Sequence, residues 1–116
     1  MGTITPESVA LKQLVPSIVD DIVAESDPAR IILFGSVARG DAGPDSDLDV
    51  LVVLDRLDPA ERARSMGRIR FAVGARAAID IFVTSSDEYE SRKDVNGSMQ
   101  YWPAREGEVV YERSVA

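Results

Sequence analysis

The chain lacks both cysteine and histidine. Without cysteine there are no disulfides, zinc ribbons, iron–sulfur clusters or thiol nucleophiles. Without histidine there are no Ser–His–Asp triads, imidazole proton shuttles or His-ligated zinc. Acid–base chemistry must therefore rest mainly on carboxylates, with Lys and Tyr as lesser options. Aromatic residues are only 6% of the 116 residues. No apolar run approaches the roughly 20 residues of a spanning helix. The stretch 1–15 has neither a basic start nor an apolar core, so it does not read as a signal peptide. A cytoplasmic protein without a membrane partner is expected.

Basic residues are also in short supply. Thirteen Lys and Arg face twenty Asp and Glu, a net charge of −7. Such a surface repels nucleic acid and anionic membranes, and no direct nucleic-acid binding is expected. The basic residues are nonetheless uneven. Arg56, Arg62, Arg64, Arg68, Arg70 and Arg76 share one stretch with only Asp58 and Glu61. That stretch reads either as a solvated helix face or as a docking surface for an acidic partner.

The length suits a single domain, 1–116, able to bury one core. Thr5-Pro6-Glu7 reads as a helix start. Apolar residues at Leu11, Leu14, Val15, Ile18, Val19, Ile22 and Val23 carry the helix to about Glu25. Pro16 should kink or split it. Arg30–Phe34 reads as a buried strand stopped by Gly35, and Ser36–Arg39 as one helical turn. Gly40–Ser46 is a loop by composition. Asp47–Leu54, almost wholly apolar after its acids, reads as a strand covered on both faces. Asp58-Pro59-Ala60-Glu61 opens a helix running to about Gly74–Arg76. Ala78–Thr84 is a third strand, Ser85–Glu88 a capping box, Asn96-Gly97 a turn and Glu108–Glu112 a last strand. The expected fold is α/β (α+β): a central mixed sheet of about four to five strands flanked by helices. Tyr101 and Trp102 read as satellite core.

The chemistry concentrates in Gly35–Asp49, GSVARGDAGPDSDLD. Gly35 and Gly40 have the opening spacing of a Walker A loop, but Asp41-Ala42 stands where Lys and Ser or Thr are needed. Asp45, Asp47 and Asp49 imitate an EF-hand start, but Val50 and Arg56 stand where Gly and Glu are needed. Both readings fail. What remains is Gly35-Ser36 at a strand end, suited to close approach of a phosphate, and Asp47 and Asp49 on one face of a strand. Such a carboxylate pair suits a hard cation such as Mg²⁺. Asp80, between Ile79 and Ile81, reads as a buried acid that needs a metal or a partner. Three converging carboxylates could hold two ions for an in-line phosphoryl displacement, with Asp80 as base for the attacking hydroxyl.

Gly35-Ser36, then ten residues, then Asp47-x-Asp49 and a later strand acid resembles the signature of the DNA polymerase β-like nucleotidyltransferase superfamily. The string GSVARGDAGPDSDLDVLVV looks like its minimal nucleotidyltransferase (MNT) family. The resemblance implies that Asp47, Asp49 and Asp80 bind two Mg²⁺, and that Gly35, Ser36, Arg39 and Ser46 contact the nucleotide. It implies AMP transfer from ATP with release of pyrophosphate. An acceptor site is not visible, so a partner chain is expected to bring it. By resemblance that partner is a HEPN-type ribonuclease toxin modified on tyrosine, with this chain as antitoxin in a homo- or hetero-oligomer. The alternative is a binding module that neutralises a toxin with transfer weak or lost. An aminoglycoside transferase is disfavoured by length.

Overall fold

A computed structural model of the chain describes residues 3–114. Thr5 caps α1 (Pro6–Lys12), its Oγ1 accepting from the Ser8 N–H. The predicted long helix divides as Pro16 requires. It resumes as α2 (Val15–Ser26), with the proline in its first turn, where a missing N–H costs nothing. Asp27 ends α2 in the left-handed region, at φ 45°. The chain then runs through β1 (Arg30–Phe34), α3 (Gly35–Arg39) and β2 (Leu48–Leu54). A 3₁₀ turn over Pro59–Glu61 leads into α4 (Arg62–Val73), followed by β3 (Ile79–Ser85) and α5 (Ser86–Arg92). The last elements are α6 (Tyr101–Glu106), which the sequence did not announce, and β4 (Glu108–Glu112).

The four strands form a mixed sheet in the order β3-β2-β1-β4. β1 is antiparallel to both its neighbours, and β2 and β3 are parallel. The fold is α+β, a four-stranded mixed sheet flanked by helices. Among the described residues no helix is long and apolar enough to cross a membrane.

Strand alternation sorts the side chains into two layers. On one face Ile31, Leu33, Val50, Val52, Ile81 and Val83 meet Ile18 and Ile22 of α2 and Ile69 and Val73 of α4. On the other, Ile32, Leu51 and Val53 meet Tyr89 of α5, with Phe34, Phe82 and Met99 around them. β2 is thus covered on both faces, as its composition predicts. The second layer is smaller, and it leaves the Phe34 end of the sheet accessible.

The arginine-rich stretch serves mostly as ties. Arg62 donates to the Val83 carbonyl and, at 2.8 Å, to Glu88. Arg70 donates to the Ile79 carbonyl at 3.3 Å. Arg76 bonds the Val73 carbonyl, Ser17 and Asp21. Arg62 and Arg70 are therefore engaged with the protein itself. Arg64 and Arg68 fit the solvated-face reading, paired loosely with Glu61 at 3.5 Å and Glu25 at 4.0 Å. Exposed pairs of this kind contribute about 0–1 kcal/mol. The Ser85–Glu88 capping box is only half formed. Ser85 accepts from the Glu88 N–H, but the Glu88 carboxylate turns to Arg62, Thr84 and Gln100.

Candidate functional site

The second face carries the acids. Asp49 lies opposite Phe34 on β1 and in register with Asp80 on β3. Parallel neighbours sit about 4.8 Å apart, and register partners project from the same face. Asp47 shares the parity of Asp49 but precedes β2, which begins at Leu48. Phe34 and Phe82 meet on the same face, ring centroids 5.7 Å apart.

Gly35 decides the close fit. Its φ of +78° excludes ordinary side chains, and a Cβ built there would land on the Asp49 carboxylate. The missing side chain brings the turn from β1 into α3 directly against the acid.

Asp49 is half-buried, and its pKa is raised from 3.8 to about 6. Burial is the main cause, followed by the negative charges of Asp80 and Asp47; the Arg39 charge opposes them. The site thus holds excess negative charge on oxygen donors.

Asp80 is placed differently from expectation. It is exposed, at the second position of β3 rather than buried mid-strand. Its flanking isoleucines point into the opposite layer, as alternation demands. Among the described residues no three acids stand close enough to cage an ion on their own. The expected three-acid, two-ion cage is therefore not preformed. Asp47 hangs before the strand, Asp80 faces solvent, and like charges do not converge unaided.

Ser36 is the second residue of α3, and its carbonyl accepts from the Gly40 and Asp41 N–H groups. Arg39 is exposed. It donates from Nε to Asp41 at 3.3 Å and from Nη1 to Glu106 at 2.8 Å. Those two partners raise its pKa further. Ser46 accepts from the Gly43 N–H at 2.8 Å, closing the turn before β2; its hydroxyl proton remains free to donate elsewhere.

Two positioning contacts escaped sequence reasoning. Thr5 Oγ1 donates to the Ala42 carbonyl at 2.8 Å, and the Ala42 N–H donates to Ser8 Oγ at 2.9 Å. Ser8 is fully buried. The N-terminal helix thereby clamps the loop that delivers Asp47. An Asx- or Ser-type cap could be read from Thr5, but its partner 37 residues away could not. The other is α6. Glu106 holds Arg39, and Trp102 lines a depression of about 260 Å³ with Phe34 and Gly35. Trp102 is 55% exposed, so it is not satellite core. Two larger clefts lie elsewhere. One, of about 410 Å³, is at the Arg30 end of the sheet; the other, about 520 Å³, lies between α1–α2 and β4. None of the three is lined by Asp47, Asp49 or Asp80; the depression beside Trp102 adjoins Asp49 through Gly35.

Residues 15–109 match the nucleotidyltransferase domain family. The chain belongs to this family. The crystal structure of a candidate nucleotidyltransferase from Sulfolobus solfataricus has a similar fold, with a TM-score of 0.65. It is 21% identical, covering 97% of this chain and 91% of that one, a likeness that speaks for the fold. No curated protein sequence matches the chain.

A nucleotidyltransferase domain moves a nucleoside monophosphate from a nucleoside triphosphate, and a divalent cation typically assists. The donor set suits such an ion in part. Asp49 and Asp80 offer adjacent hard oxygens, and the charge around Asp49 is only partly offset by Arg39. Mg²⁺ commonly takes one or two carboxylates and fills its shell with water and substrate phosphate. A pair of acids plus a triphosphate therefore fits, where a protein-only cage does not.

Proposed function

We propose that this nucleotidyltransferase domain transfers AMP from ATP to a hydroxyl group and releases pyrophosphate. The observation that carries it is the register of Asp49 with Asp80 against the Gly35 turn, with charge around Asp49 left for a cation to neutralise. Asp49 and Asp80 would hold Mg²⁺, with Asp47 completing its outer contacts. The ion supplies charge neutralisation at the phosphates when bound. Gly35 lets the triphosphate approach the backbone, and Ser36, Ser46 and Arg39 donate to its oxygens. Arg39 can do so without leaving Glu106, since its fork carries five N–H donors.

The acceptor oxygen attacks the α-phosphorus as the bond to the β-phosphate breaks. Pyrophosphate carries the leaving electron pair. The acceptor's proton passes to Asp80, whose exposure leaves it open to an incoming hydroxyl. Catalysis is otherwise positioning and charge stabilisation.

The finer reading rests on the resemblance to the MNT family: an antitoxin that adenylylates a tyrosine of a HEPN-type ribonuclease toxin. The exposure of Asp80 and the placement of Asp47 before β2 admit a second reading, a partner-binding module with weak transfer. Co-purification of the native complex, with intact mass on every component, separates the two. AMP transfer predicts a partner carrying one or more nucleotidyl units, and an unmodified partner when Asp80→Asn replaces the wild type. A partner that stays unmodified in both while remaining bound supports the binding module.

A further inference from the structure

Trp102 is the chain's one tryptophan. A large apolar ring left 55% exposed contributes little to the core. Its neighbours nevertheless hold it firmly. The Tyr101 ring meets it edge to face at 5.1 Å and 89°. Tyr101 is in turn covered by the Arg105 guanidinium at 3.8 Å. Pro103 is buried, and a Cβ on Gly107 would strike both Ile32 and the Pro103 carbonyl, so α6 sits tightly on β1. Glu106 ties the same helix to α3 through Arg39. The indole is thus a braced surface lining a depression together with Phe34 and Gly35. Gly35 belongs to both places: it lines the depression and touches the Asp49 carboxylate.

We propose that Trp102 is the shelf on which the nucleobase of the bound nucleoside triphosphate stacks. The inference rests on the nucleotide reading of the Asp49–Asp80 site. Phosphates placed against Gly35 and Asp49 leave the sugar and base to be accommodated nearby. The depression beside Gly35 is lined by the Trp102 ring together with two polar groups, Arg39 and Glu106. Stacking on a ring that is already immobilised loses little conformational entropy. It tolerates any base, because every base presents a π-face.

The single tryptophan makes the test direct. Wild type, Trp102→Ala and Trp102→Phe are titrated by calorimetry with Mg-ATP and with Mg-tripolyphosphate, which has no base. Wild-type tryptophan fluorescence is followed in parallel. ATP is expected to change the fluorescence more than tripolyphosphate does. Trp102→Ala should weaken ATP binding by about 5- to 150-fold and leave tripolyphosphate affinity unchanged. Trp102→Phe should restore most of the ATP affinity. Circular dichroism confirms that each variant folds. Equal ATP affinity in wild type and Trp102→Ala overturns the shelf and leaves the nucleotide site standing. Failure of the wild type to bind either ligand overturns both.

Discussion

Replacing Asp49 by Asn removes a charge that the folded chain holds at a cost. Its carboxyl has a pKa of about 6 in the fold against an ordinary 3.8. The difference is roughly two units, and each unit corresponds to about 1.36 kcal/mol. The full shift would be near 3 kcal/mol; Asp49 keeps part of its solvent, so about 1–2 kcal/mol is the reasonable size. The sign follows from proton linkage. Above about pH 6 both states are ionised and the fold bears the whole penalty. Between about pH 6 and 3.8 the folded chain takes up a proton that the unfolded chain does not, and the penalty fades. Asp49→Asn should therefore stabilise the protein most at pH 8. With a urea m-value of about 1–2 kcal/mol per M, its midpoint should rise by roughly 1 M there and by clearly less at pH 4.5. The same variant should lose nucleotidyl transfer. Urea titrations followed by circular dichroism at both pH values, without metal, decide it. An unchanged or lower midpoint at pH 8, or an equal gain at both, refutes the electrostatic reasoning.

Gly35→Ala forces a side chain into φ +78° and onto the Asp49 carboxylate; a loss of about 1–3 kcal/mol in denaturant titration, with pyrophosphate release largely abolished, is expected. Ser8→Ala leaves the buried Ala42 N–H without its acceptor and should cost about 1–3 kcal/mol, read as a lower urea midpoint. Glu88, held chiefly by Arg62 and also by Thr84, titrates below the ordinary value of 4.5. Its stabilisation is present above that value and lost as pH falls through the folded pKa; Glu88→Gln should remove that part of the acid-limb pH dependence in melting curves. The double variant Arg64→Ala/Arg68→Ala breaks only loose exposed pairs and should stay within about 0.5 kcal/mol of wild type.

Local signals announced most of the sheet and one wall of the site. Pro16 marked the helix division, Gly35 the tight turn, and the apolar run after Asp47 a doubly covered strand. The errors have different causes, and only the arginine ties concern partners distant in sequence. Asp80 was expected to be buried because isoleucines flank it. In a strand, however, neighbours at i±1 report on the opposite face, and Asp80 lies at the uncovered end of its own. The arginine cluster read as a solvated helix face or a docking surface. Arg62, Arg70 and Arg76 instead find carbonyls and acids on β3, α5 and α2. Helix α6 has only six residues, with a proline third, too short for a periodic pattern. Its absence from the sequence reading hid the exposure of Trp102 and its place beside Gly35.

The most direct test of nucleotidyl transfer follows the label. The chain, its co-purified acceptor and Mg²⁺ are incubated with ATP labelled at the α- or the γ-phosphate. Transfer at the Asp49–Asp80 site predicts α-label on the acceptor and γ-label in pyrophosphate, in equal amounts, with neither product from Asp49→Asn. A γ-label on the acceptor, or its release as orthophosphate while the acceptor stays bare, would contradict it.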